Sequence, residues 1–291
     1  MNNKYLVSFI LVLVAFVWAG SFIVVKTATE QINPINLGFL RFFVATPIMF
    51  LLLLIRGKKL KIPKKEIPSL CVLGLTGITF LYLFQFVGIN LTNASTASSL
   101  INTNVIFIAI LSIIFLKESF NKNKLIGISS SFIGVFIIIF SNTQIIIISD
   151  KNLFIFGAIL VLLSAFSWAV YSIVGKRLIK KYDIFTVTAY AFAFGSIFYL
   201  PFVIFDIVDT IISTTINVWL SVLYLSLICS VFGYIGWYYA LEKIEASKAA
   251  VFLNLIPFFA IIMSFFIGEH ISLFFIFGSA LIIFGVYITQ I

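Results

Sequence analysis

Residues 15–26 read AFVWAGSFIVVK and residues 165–176 read AFSWAVYSIVGK, agreeing at seven of twelve positions at an offset of 150. Each stretch sits inside an apolar run, Tyr5–Val25 in one case and 153–175 in the other. A helix crossing a bilayer needs about 20 mostly apolar residues. By that measure the chain offers ten spans, near 5–25, 35–55, 69–89, 94–116, 124–140, 153–175, 184–205, 217–240, 248–267 and 271–290. The fifth is shortest and is expected to borrow residues from Ser141 to Ile148. Lipid cannot satisfy an open backbone, so runs this long and uncharged are predicted to be helices. The period-two alternation of a membrane barrel is absent. Five crossings per copy is an odd number, which turns the second copy upside down. Many secondary transporters share that plan, with the substrate site between the halves. The predicted fold is all-α integral membrane: ten transmembrane helices as two inverted five-helix repeats, 1–140 and 152–291.

Composition supports this. Of the 291 residues, 62% are hydrophobic and 10% charged, with mean hydropathy +1.21, whereas soluble domains carry about 25% charged residues. The net charge of +9 is spread over alternate loops. With the N-terminus inside, sixteen basic residues fall on the inner side, from Lys4 through Arg56 and Lys176 to Lys248. Only Lys26 and Lys151 fall outside, and Arg41 lies within a span. This bias predicts a multi-pass cell-membrane protein with both termini cytoplasmic, and the absence of a single basic patch argues against nucleic acid. The first apolar run exceeds the roughly 7–15 residues of a signal-peptide core and is expected to stay as the first span. Cys71 and Cys229 lie in apolar spans, and His270 is the one histidine. Neither a metal site nor a cofactor is expected.

The duplication continues. Ala94-Ser95-Thr96-Ala97 matches Ala246-Ser247-Lys248-Ala249, Asn102 matches Asn254, and FIAILSIIFLKE (107–118) matches FFAIIMSFFIGE (258–269). Glu118 is followed nine and sixteen residues on by Gly127 and Gly134, and Glu269 likewise by Gly278 and Gly285. Small residues at that spacing line one helix face and allow close backbone approach.

With these residues the chain resembles the drug/metabolite transporter superfamily, in its EamA-type ten-helix permease branch. The resemblance rests on Trp18-Ala19-Gly20-Ser21 with Lys26, on Pro34 and Arg41, and on the two Glu-to-Gly helix pairs. It implies a non-enzymatic permease with a central cavity lined mainly by helices 1–4 and 6–9. Helices 5 and 10 would be peripheral, and the activity would be export or exchange of small polar metabolites such as amino acids.

Ionisable and polar side chains inside a span are costly and often functional. Arg41 lies seven residues into the second span. It reads either as a side chain snorkelling to the headgroups or as a charge at the cavity mouth that attracts a carboxylate or phosphate. Lys26 is a weaker case. Asn102, Thr103 and Asn104 interrupt the fourth span, and Asn254 with Pro257 the ninth. They read as helix-packing glue or as cavity groups, with Pro257 and Pro47 able to free a backbone carbonyl. Tyr82 and Gln85 align with Tyr234 and Trp237, each pair three apart on one helix face. Trp18 and Trp168 are too deep for an interface belt, which suggests a cavity-lining or packing role. The candidate substrate-binding set is thus Trp18, Arg41, Tyr82, Gln85, Asn102, Asn104, Trp168, Tyr234, Trp237 and Asn254.

Glu118 and Glu269 read as fixing helix ends, with Glu269 beside His270 as a minor proton-coupling candidate. All ten acids lie in loops or at span ends, which disfavours an exporter of cationic drugs relative to one of neutral, zwitterionic or anionic metabolites. A multidrug exporter, a channel, a scaffold subunit and a lipid enzyme are the competing readings. The expected partners are a small-molecule substrate and the lipid bilayer, and a homodimer is compatible with the sequence.

Overall fold

The computed structural model describes residues 3–57, 62–92, 97, 100–141, 151–265 and 273–291. Among them every regular element is helical. They are α1 (Asn3–Ala28), α2 (Pro34–Ile55), α3 (Lys64–Leu91), α4 (Asn104–Leu116), α5 (Lys122–Ser141), α6 (Lys151–Ile179), α7 (Ile184–Phe202), the short α8 (Ile207–Ser213), α9 (Ile216–Lys243), α10 (246–265) and α11 (Leu273–Gln290). Six of these, namely α1, α2, α3, α6, α7 and α9, are long and apolar enough by themselves to cross a membrane. The ten-span reading also needs α4, α5, α10 and α11. Parts of those four spans, at 94–96, 98–99, 142–148, 266–267 and 271–272, lie outside the described residues.

Local chemistry starts and interrupts the helices. Asn33 and Asp183, at matching places in the two halves, each accept a hydrogen bond from the amide two residues on, at 2.9 and 3.0 Å. These are N-caps that satisfy a backbone donor left open at a helix start. Pro34 follows Asn33 as the first helical residue of α2, where no amide hydrogen is needed. Wide turns with i→i+5 bonding occur at Leu75–Thr79 in α3 and Tyr224–Phe232 in α9. Such turns leave carbonyls free of their usual partners and recur at functional sites. The expected interruptions are present too. Residues 102–103 form a turn before α4, and α10 contains a 3₁₀ turn, Val251–Asn254, just ahead of Pro257.

Packing respects the duplication. α1 packs on α10 as α6 packs on α4, and α3 packs on α6 and α7 as α9 packs on α1 and α2. α2 meets α7, and α5 runs along α11. Each pairing maps onto its counterpart, or onto itself, when the halves are exchanged.

The α5–α11 seam rests on the glycines of the sequence repeat. A Cβ at Gly134 would stand 2.5 Å from the Gly278 carbonyl oxygen, and one at Gly285 2.5 Å from that of Gly127. Real Cβ atoms do not approach that closely, so any side chain there forces the helices apart. Overpacking of this kind typically costs about 1–3 kcal/mol. Gly134→Leu is therefore expected to lower the thermal unfolding midpoint in detergent. Ile133→Leu, at an exposed neighbour, should leave it in place, and equal midpoints for the two variants would contradict this packing.

Candidate functional site

The repeat-related wide turns expose two repeat-related carbonyls, and aromatic side chains take both. Trp18 Nε1 donates to the Cys229 carbonyl at 2.9 Å, and the Tyr234 hydroxyl donates to the Gly77 carbonyl at 2.9 Å. These bonds fix Trp18 of α1 on α9 and Tyr234 of α9 on α3. Trp168 of α6 completes the cluster, with ring centroids 5.3 Å from Trp18 and 5.5 Å from Tyr234 in edge-to-face geometry. Aromatic pairs prefer that arrangement. The result is a rigid aromatic wall shared by both halves.

Against this wall lies a cavity of about 170 Å³. It is lined by Trp18, Ser21, Arg41, Tyr82, Gln85 and Phe86 from the first three helices, and by Asn104 of α4. Ser164 and Trp168 of α6, Tyr234 of α9 and Leu253 of α10 also line it. It therefore draws on seven of the eight helices expected to line a central cavity. The exception, α7, stands behind α2, where Phe192 packs edge-on to Phe42 at 5.1 Å.

Arg41 does not snorkel. Its side chain is 5% exposed, and Nε donates to Ser230 Oγ at 2.6 Å. Its guanidinium carbon stands 5.0 Å from the Tyr82 ring centroid and 5.2 Å from that of Phe42. The Arg41 backbone carbonyl accepts from Ser226 Oγ at 2.8 Å. No carboxylate among the described residues pairs with it. Aromatic faces attract a cation by roughly 0.5–2 kcal/mol, well short of the several kcal/mol that burying a charge costs. The site therefore holds an uncompensated positive charge.

Seven of the ten sequence candidates meet here: Trp18, Arg41, Tyr82, Gln85, Asn104, Trp168 and Tyr234. The other three do not line the cavity. Trp237 is fully buried behind Trp168, with Nε1 donating to Ser172 Oγ at 3.1 Å. Asn254 Nδ2 donates to Ser131 Oγ at 2.8 Å and ties α10 to α5, which is helix-packing glue. Asn102 is buried in the turn before α4. Sequence reasoning missed Ser230, which holds Arg41, and the lining residues Ser21 and Ser164.

The cavity lies toward the end of the bundle that carries residues 28, 34 and 91. The other end, which carries both termini, is cross-linked by hydrogen bonds and ion pairs. Glu118, just past α4, accepts from the amides of Ala246 and Ser247 at 2.6 and 3.1 Å and from Ser247 Oγ at 2.9 Å. It also pairs with Lys176 of α6 at 3.0 Å, and Lys176 donates to the Ile244 carbonyl. Lys124 of α5 pairs with Glu245 at 2.9 Å. Burial alone would raise the Glu118 carboxyl's pKa. The Lys176 charge and the two amides outweigh this and hold it below its ordinary value. Glu118 thus fixes a helix end, that of α10, as the sequence suggested. Glu269 and His270 lie outside the described residues.

Comparison with known proteins agrees with this architecture. The model of the EamA-like transporter family matches twice, over residues 6–140 and 155–291. The chain belongs to the EamA-like transporter family. Among its relatives is an uncharacterized transporter of Archaeoglobus fulgidus, 38% identical, with 99% of this chain and 98% of that protein covered. The uncharacterized transporter YyaM of Bacillus subtilis is 30% identical, covering 97% and 93%. A probable amino-acid metabolite efflux pump of Salmonella typhimurium is 26% identical, covering 97% and 93%. A crystal structure at 16% identity superposes with a TM-score of 0.80 over 97% of this chain and 95% of its own, which establishes likeness of fold. As an EamA-family transporter the chain is a multi-pass membrane protein and not an enzyme.

Proposed function

We propose that this EamA-family member is a secondary transporter that exports or exchanges small polar metabolites such as amino acids by alternating access. Its ten crossings form two five-helix halves of opposite membrane sense, with both termini in the cytoplasm. The carrying observation is Arg41, a buried cation without a carboxylate partner among the described residues, set in an aromatic cavity between the halves. Such a charge is compensated by an anionic group that arrives with the substrate. The cavity volume of about 170 Å³ falls below the roughly 300–1,000 Å³ of pockets for drug-sized ligands, which favours a small metabolite. The buried cation also disfavours a cationic drug. The name of the Salmonella relative points the same way. The exchange-related packing of the helices supports rocking of one half against the other.

Purified protein in liposomes is expected to move at least one labelled amino acid above the rate of empty vesicles. Absence of flux for every amino acid and small organic anion tried would contradict the reading.

A further inference from the structure

A larger cavity lies on either side of the central one. At the end bearing the termini, a cavity of about 680 Å³ is lined by Glu118, Lys176, Glu242 and Ile244. At the opposite end, one of about 480 Å³ is lined by Glu30, Asn33, Phe86 and Asn90. A route across the molecule through the central cavity passes both, so whatever divides each from the centre controls access. On the side of the termini the divider is a stack of rings. Tyr234 lines the central cavity and Glu242 the 680 Å³ one, and Tyr238 sits on α9 about one helical turn from each. Its ring lies nearly parallel to that of Tyr171 at 5.0 Å, and Tyr171 lies nearly parallel to Trp168 of the cavity wall at 5.2 Å. Tyr171 and Tyr238 are both fully buried. The Tyr238 ring rests on α6 at Gly175, where a Cβ would overlap the ring and its hydroxyl. Glycine alone allows so close an approach, and Tyr238 is thereby seated in a notch.

At the opposite end the repeat supplies the same position without the same fit. Phe86 matches Tyr238, Ser21 matches Tyr171 and Val25 matches Gly175. Phe86 therefore has no matching ring to continue a stack and no matching notch on α1. It is half-buried, with its ring centroid 5.8 Å from that of Tyr82. Among the described residues it alone lines both the central cavity and the 480 Å³ one.

We infer that Tyr238 and Phe86 are the two gates of the central cavity, Tyr238 closed in its notch on the side of the termini and Phe86 ajar on the other. This rests on the alternating-access reading above and names the side chains that must move for it. Stacking and close packing hold Tyr238, whereas Phe86 has neither. The equilibrium between the two states accordingly favours the one that is open past Phe86.

The test places a cysteine on the cavity lining, Ser21→Cys in a Cys71→Ala/Cys229→Ala background. Its rate of reaction with a membrane-impermeant thiol reagent is measured from each face of sealed vesicles. The readout is the rate from the face bearing the termini divided by the rate from the opposite face. A folding defect lowers the amount of reactive protein on both faces and leaves that ratio intact. The ratio should rise about tenfold or more in Gly175→Ala, which pushes Tyr238 from its notch, and in Tyr238→Leu, which removes the stacked ring. It should fall in Phe86→Ala, which takes away the other ring. A ratio unmoved by both Gly175→Ala and Tyr238→Leu would overturn the Tyr238 gate. A ratio unmoved or raised by Phe86→Ala would overturn the Phe86 gate. Reaction from one face alone, in the parent and in every gate variant, would instead contradict alternating access, and the gates with it.

Discussion

Arg41→Gln is expected to raise KM for an anionic or zwitterionic substrate by roughly ten- to a hundredfold. Hydrogen bonds to charged groups are worth about 1.5–3 kcal/mol, and each 1.4 kcal/mol is a factor of about ten. Glutamine can still donate to Ser230 Oγ, so the bond that positions the side chain survives while the charge goes. The same variant should fold at least as stably as the wild-type protein, because a buried, unpaired charge is a cost to the empty site. This opposition of weaker transport and undiminished stability separates a binding residue from a packing residue. Arg41→Lys keeps the charge but loses the planar fork, and it should fall between the two. Transport kinetics unchanged in Arg41→Gln would remove the anchor from the account.

Glu118→Ala should produce the largest loss of stability. Its carboxylate is 7% exposed, accepts four hydrogen bonds and neutralises Lys176, itself 9% exposed. Removing one partner of a buried ion pair typically costs about 3–5 kcal/mol because the other charge is stranded. Thermal unfolding in detergent is expected to shift accordingly, and Glu118→Gln should recover part of the loss through its amide oxygen. The pH dependence has a definite sign. The folded-state pKa of Glu118 lies below the ordinary value, about 4.3 for an unfolded glutamate. Its contribution is thus fully present above that pH and is lost as pH falls through the lower, folded value. The wild-type-minus-Glu118→Gln difference in midpoint should be flat from pH 8 to about 5 and shrink only below that range. A difference that grows on acidification would contradict this electrostatic role. Under alternating access these bonds must also break when the end bearing the termini opens.

Much of this was legible in the sequence because duplication marks shared structure. Trp18 and Trp168, Tyr82 and Tyr234, and the four glycines of α5 and α11 each have a counterpart, and each sits at a contact that the repeat reproduces. Three candidates from the same reasoning, Asn102, Trp237 and Asn254, do not line the cavity. A repeat pair shares a place in the fold, and the cavity, displaced toward one end, need not meet both members. Gln85 lines it while its counterpart Trp237 lies in the packed core, and neither Asn102 nor its counterpart Asn254 reaches it. Ser164 and Ser230 escaped notice for the converse reason. Their counterparts, Val14 and Ile78, are apolar, and a lone serine in a span usually just bonds its own helix backbone. Only the fold reveals that one is unpartnered beside the cavity and the other grips Arg41. The wide turns left no readable signal, since i→i+5 bonding depends on what the freed carbonyls meet across the bundle.

The most direct measurement is the reach of a membrane-impermeant thiol reagent to one cavity position from each face of the membrane. Ser21→Cys, in a Cys71→Ala/Cys229→Ala background, places the reporter on the cavity lining. In right-side-out and inverted vesicles it should react from both faces, and a transported substrate should slow both reactions. Labelling from a single face, unaltered by any substrate that the protein carries, would contradict a cavity that opens to each side in turn.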